Sequence, residues 1–159
     1  MRHMQQTMAK VLRAAATAAS NTTTSVQVDT VQSGIKYMSA NIKVFQHAAS
    51  ATNSADKMLV LNVSEGDAAD TNYTAIAAFT GTTNSVATSG FVIQTNTNTA
   101  IGGFTEFNID CRARKRYLTV VFEPSDVTHR VSVVATLSDP IEATPDTATE
   151  RGSLITVTG

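Results

Sequence analysis

From residue 24 onward, the apolar side chains of this chain recur at every second position, and that period dictates strands. In TTSVQVDTV the marks are Val26 and Val28, extending to Val31. In YMSANIKVFQ, Met38, Ala40, Ile42 and Val44 fall on one face, with Ser39, Asn41 and Lys43 on the other. KMLVLNVS puts Leu59, Leu61 and Val63 inward and Met58 and Val60 outward, a pattern apolar enough for a central strand covered on both faces. NYTAIAAF places Tyr73, Ala75, Ala77 and Phe79 in register. FVIQT, FTEFNIDCR, RYLTVVFEP and HRVSVVATL supply further strands, and LITVT is a candidate last one. Between them lie breaks rich in Thr, Asn, Gly and Pro.

Composition points the same way. Of 159 residues, 42% are hydrophobic, enough for one core, while only 16% are charged. Thr, Ser and Asn make up the polar balance, and β-branched Thr suits a pleated surface better than a helix. Eight or nine short strands without intervening helices must bury their apolar faces against one another. The expected fold is therefore all-β: an antiparallel β-sandwich, jelly-roll-like, over residues 24–159. An immunoglobulin-like sandwich is second, because its Cys, Trp and Cys are missing. Residues 1–23 are expected to form an N-terminal arm, extended or short-helical. Its basic, Ala-rich start imitates a secretory signal only faintly, since Lys10 and Arg13 interrupt the apolar run.

Chemistry is hard to find. One cysteine, Cys111, makes neither an internal disulfide nor a zinc site. His3, His47 and His129 stand far apart, outside metal-ligand spacing. The turn EGDAAD offers Glu65, Asp67 and Asp70 to a hard cation but lacks the ladder of an EF-hand loop, so a solvated turn is expected. Asp29, Asp110 and Glu123 lie in or beside strands, and nothing selects a catalytic pair among them. The expectation is no enzyme, no cofactor and no metal. A net charge of −1 argues against nucleic acid, and no run approaches the roughly 18 apolar residues that a membrane span needs.

One cluster stands out. In CRARKRYLTVVF, Arg112, Arg114, Lys115 and Arg116 separate two apolar rows, Phe107, Ile109 and Cys111 before them and Leu118, Val120 and Phe122 after. A solvated turn, a strand edge guarded by charge, and a protein contact including Tyr117 all fit this pattern.

Two phrases carry a resemblance. The first is Leu61, Glu65, Gly66, Asp67, Tyr73, Thr74 and Ile76; the second is Arg114, Lys115, Arg116, Tyr117, Leu118, Val120 and Phe122. Over roughly residues 57–145 the chain resembles small virion proteins of tailed bacteriophages, the capsid decoration or cement proteins. The resemblance implies a non-enzymatic virion protein on the outer capsid surface that bridges and stabilises major capsid protein subunits. It implies a homo-oligomer, with a trimer favoured over a dimer, and neither nucleic acid nor membrane as partner. Arg112, Arg114, Lys115, Arg116 and Tyr117 are its capsid-contact candidates. The alternative is a receptor- or glycan-binding β-sandwich module of a phage fibre.

Overall fold

The structure is a computed structural model that describes residues 7–18, 21–32, 34–47, 58–93, 103–124 and 129–140. Among these the regular elements are strands: β1 (Thr7–Ala18), β2 (Thr24–Asp29), β3 (Val31–Gln32), β4 (Ile35–His47), β5 (Met58–Gly66), β6 (Thr74–Thr82), β7 (Phe91–Val92), β8 (Gly103–Asp110), β9 (Tyr117–Pro124) and β10 (His129–Pro140). One sheet runs β1-β10-β4-β8, and the two-residue β3 pairs with the start of β4. The other runs β2-β9-β5-β6, and β7 lies parallel to the end of β6. Along the eight long strands, every connection changes sheet except the β5–β6 hairpin. That winding is the jelly roll, two Greek keys rolled into a sandwich.

The inward rows meet as the alternation of most strands requires. In the first sheet Leu137, Ala40 and Ile109 form one row, and Ala135, Ile42 and Phe107 the next. Opposite them lie Val26, Val120 and Val63, with Phe122 beside Leu61. All of these are buried except half-buried Val26. Phe107 reaches across the interior and meets Phe79 and Phe91 edge-on, with centroids 5.9 and 5.5 Å away. Aromatic edges of this kind add specificity to area burial.

Alternation fails where a bulge intervenes. Between Met58 and Val60 the β5–β9 register shifts, so Met58 is fully buried and Leu59 faces outward, the reverse of the sequence expectation. A larger irregularity in β6 follows the pairing of Ser64 with Ala75, after which Asn62 pairs with Thr80. Ile76 therefore turns inward, while Ala75 and Ala77 stay exposed.

The N-terminal segment departs most from an appended arm. Over Thr7–Ala18 it is extended, and it is an edge strand of the sandwich, hydrogen-bonded to β10. Its register shifts twice, between Val11 and Arg13 and between Arg13 and Ala16. The first shift brings Arg13 opposite buried Val133, where its Nε donates to the Val131 carbonyl. Its guanidinium lies 5.4 Å from the centre of the Phe122 ring. A cation thus plugs the seam between the sheets. His47 closes β4 and His129 opens β10, whereas His3 and the LITVT strand lie outside the described residues. The proline-bearing SDPIEATPDTATERGS segment reads as a loop in the sequence, yet its Ser138, Asp139 and Pro140 complete β10, and its remainder lies outside the described residues.

Burial separates two phenylalanines of one strand. Phe107→Ala is expected to lower unfolding stability by about 3–5 kcal/mol, whereas Phe104→Ala, whose ring is 59% exposed, stays within about 1 kcal/mol. Urea denaturation of the two variants measures both.

Candidate functional site

The cationic cluster forms the connection from β8 to β9, which carries the chain from one sheet to the other. Its shape is set by backbone hydrogen bonds. Cys111 N–H donates to the Met38 carbonyl at 2.7 Å, and Arg114 N–H closes back on the Cys111 carbonyl at 3.2 Å. The carboxylate of Asp110 accepts the Arg112 N–H at 3.0 Å, an Asx turn that starts the bend. At the far end, buried Thr30 donates both its N–H and its hydroxyl to the Arg116 carbonyl, at 2.9 and 2.7 Å.

Every cation in the cluster meets a carboxylate of this same chain. Arg112 forks onto Asp110, with Nε 2.9 Å from Oδ1 and Nη2 2.6 Å from Oδ2. Arg116 forks onto Asp29 at 2.9 and 2.7 Å, and its guanidinium lies 5.1 Å from the centre of the Tyr117 ring. Lys115 Nζ reaches Asp67 at 2.8 Å, and Arg114 reaches Glu65 at 3.5 Å. Bidentate guanidinium–carboxylate pairs fix orientation as well as charge. Four positive and four negative groups therefore interlock at one end of the sandwich.

Glu65 has a special position. It follows Leu61 and Val63 on the inward face of β5 and stands opposite Leu118, so its carboxylate occupies the mouth of the interior. Its side chain is only 20% exposed. A carboxylate there needs partners, and it has two: the Arg114 guanidinium and the Lys115 backbone N–H, which donates to Oε2 at 3.1 Å. The ionic contact thereby sets where the connection enters β9.

The acidic turn after β5 folds back over the outer face of the second sheet. Asp70 N–H donates to Gln27 Oε1 at 3.1 Å, and Gln27 donates in turn to Thr119 Oγ1 at 2.8 Å. Ser64 and Thr119 are buried beneath it, although they lie on that outer face. Asp70 and Asn72 hold φ of 56° and 49°, which short polar side chains tolerate better than most. Two of the three carboxylates considered for a cation, Glu65 and Asp67, face Arg114 and Lys115 instead. Among the described residues, no three His, Cys, Asp or Glu side chains gather into a metal-binding group. Of the dispersed carboxylates, Asp29 and Asp110 are each held by an arginine, and Glu123 accepts the Thr23 hydroxyl.

Protonation follows this geometry. The Arg112 guanidinium and backbone N–H hold the Asp110 carboxyl down at about 2. Asp67 raises the Lys115 ammonium, and Asp29 raises the Arg116 guanidinium. Burial, followed by the nearby Asp110 charge, pushes the Cys111 thiol up to about 11, so it stays an unreactive thiol at neutral pH.

The sequence singled out the cations and Tyr117 but missed their partners. Asp29 lies 87 positions from Arg116, and Glu65 lies 50 from Lys115. The available signal was the co-occurrence of the two phrases, EGD and RKRYL.

Among solved structures, the crystal structure of dimeric latent PorU from Porphyromonas gingivalis is similar over 84% of this chain and 13% of that one. The identity is 11% and the TM-score 0.35, a likeness that carries no argument about function. No family model and no curated protein matches the chain.

Two outcomes test the network. Glu65→Ala should cost about 2 kcal/mol by stranding the Lys115 N–H and a half-buried Arg114, whereas Arg112→Ala lowers the urea midpoint far less because its pair is exposed. In carbon-detected NMR the Asp110 carboxyl should titrate near 2 and move up toward about 3.9 in Arg112→Ala. The folded value lies below the unfolded one. The pair therefore favours the folded state above about pH 4, and that contribution fades as pH falls toward 2.

Proposed function

We propose that this chain is a structural virion protein that decorates the outer surface of a tailed-phage capsid and bridges major capsid subunits. The observation that carries this reading is the union of the two phrases behind the resemblance. Glu65 and Asp67 of the first grip Arg114 and Lys115 of the second, so both phrases belong to one structural unit. The jelly-roll frame supports the reading, because the same winding recurs in capsid domains, although a fold alone assigns no function.

The exposed rim of that unit is the capsid-contact candidate. Arg112, Lys115 and Arg116 keep 71%, 43% and 50% of their side chains exposed, and their ion pairs already hold them in place. Docking then costs less side-chain entropy than with free arginines. Binding to the assembled shell alone stabilises that shell by mass action, repeated at each site in a homo-oligomeric lattice.

The test is reconstitution. Particles lacking this chain are incubated with the purified protein, examined by cryo-electron microscopy, and followed by thermal release of the genome. Density on the outer shell and a concentration-dependent rise in the release temperature are expected. Bare shells, or density confined to a tail fibre, refute the proposal, and the fibre outcome favours a receptor-binding module.

A further inference from the structure

The outer face of the first sheet carries a groove that shares only Arg112, at its edge, with the capsid-contact candidates. It is an open concavity of about 520 Å3 where β10, β4 and β8 run side by side. Ser39, Asn41, Asn108, Asp110, Arg112 and Asp139 supply its polar groups, and Met38, Ala40 and Ile109 complete the lining. The structure assigns this groove to a neutral saccharide.

Four features support that ligand class. First, the hydroxyl-binding geometry is already present within the chain. One oxygen of Asp139, Oδ2, accepts both the Ser39 hydroxyl at 2.8 Å and the Ser138 hydroxyl at 3.4 Å. A vicinal diol offers a carboxylate the same kind of donors. Second, the planar groups alternate in kind. Asn41 Nδ2 donates to both Asn108 Oδ1 and Glu106 Oε1, so the Asn41 amide oxygen and the Asn108 amide NH2 are the groups left to meet a ligand. Neighbouring strands set these groups roughly 5 Å apart, close to the width of one sugar ring. Third, the charge does not suit an anion. Arg112 is occupied bidentately by Asp110, and Asp139 leaves the groove one negative charge in excess. Among the described lining residues, a phosphate or an acidic sugar meets no cation that lacks a carboxylate. Fourth, the lining is rigid: three hydrogen-bonded strands hold it, and Asp139 keeps a φ of 57°, which aspartate tolerates. Polar groups held in place before binding lose little entropy to a weak, hydroxyl-rich ligand.

The probes are neutral soluble sugars: glucose, galactose, mannose and N-acetylglucosamine oligosaccharides. Sialyllactose and a short oligolysine peptide serve as charged comparisons. Each is titrated into the 15N-labelled full chain. At least one neutral sugar should shift the amide resonances of residues 39, 41, 108 and 139 together, while sialyllactose shifts none. Asp139→Asn preserves the backbone conformation but replaces one charged acceptor, and it should weaken that sugar by about tenfold. Asn108→Ala should weaken it as well, both variants with unchanged thermal midpoints. The assignment is overturned if no neutral sugar moves these resonances. It is also overturned if oligolysine alone does, which makes the groove a cation dock, or if neither variant alters the sugar titration. The free protein is used throughout, so failure here is distinct from failure to bind a capsid.

Discussion

The inward row of β9 holds the two sheets to one interior. Leu118, Val120 and Phe122 are fully buried, and β9 pairs with β2 on one side and β5 on the other. In a jelly roll each long strand hands the chain to the opposite sheet, so a slip of one residue in a central strand would turn its apolar row toward water. Fully burying a side chain of this size contributes roughly 1.5–3 kcal/mol, and a slip of β9 would forfeit three of them. The register of β9 is therefore a constraint on the whole molecule, and its entry point deserves a lock.

That lock is ionic because of where it sits. The last inward position of β5 lies at the mouth of the sandwich, mostly buried but reached by water, where Glu65 meets both a guanidinium and a backbone N–H. A deeper ion pair would lose more to desolvation than it recovers, and a fully exposed one would be worth little. The remaining pairs, Arg112 with Asp110, Lys115 with Asp67 and Arg116 with Asp29, are more exposed and act mainly on orientation. Together with the Thr30 hydrogen bonds they tie the β8–β9 connection to both neighbouring loops.

Most of this fold was legible in the sequence, and its failures share one cause. Period-two reading assigned β4, β8 and β10, whose ladders to one another run without a register shift, and β9, whose ladder to β2 does the same. It inverted Met58 and Leu59 and misplaced Ile76 because bulges change the parity of β5 and β6. It passed over β1 because two register shifts, small alanines and an inward Arg13 erase the alternation there. Bulges and edge position are tertiary facts, invisible to a local period. The cations at 112–116 were visible as a cluster, but their carboxylates come from β2, β5, β8 and the β5–β6 turn, and only folding brings them together.

The same pairing changes what the cluster can offer a partner. Unpaired, four cations in five residues would attract any acidic surface over a Debye length of about 10 Å. Paired, they form a near-neutral mosaic in which each guanidinium already has its carboxylate. A partner that seeks only positive charge must displace those carboxylates, and it gains little by doing so. A partner that fits the outer edges of the pairs, presenting acceptors to the unused guanidinium N–H groups and donors to the carboxylates, keeps them intact. Recognition at this end is thus governed by shape and hydrogen-bond complementarity, with net charge in a minor role. A fixed surface of matching shape therefore meets this end of the sandwich at lower cost than a flexible polyanion does.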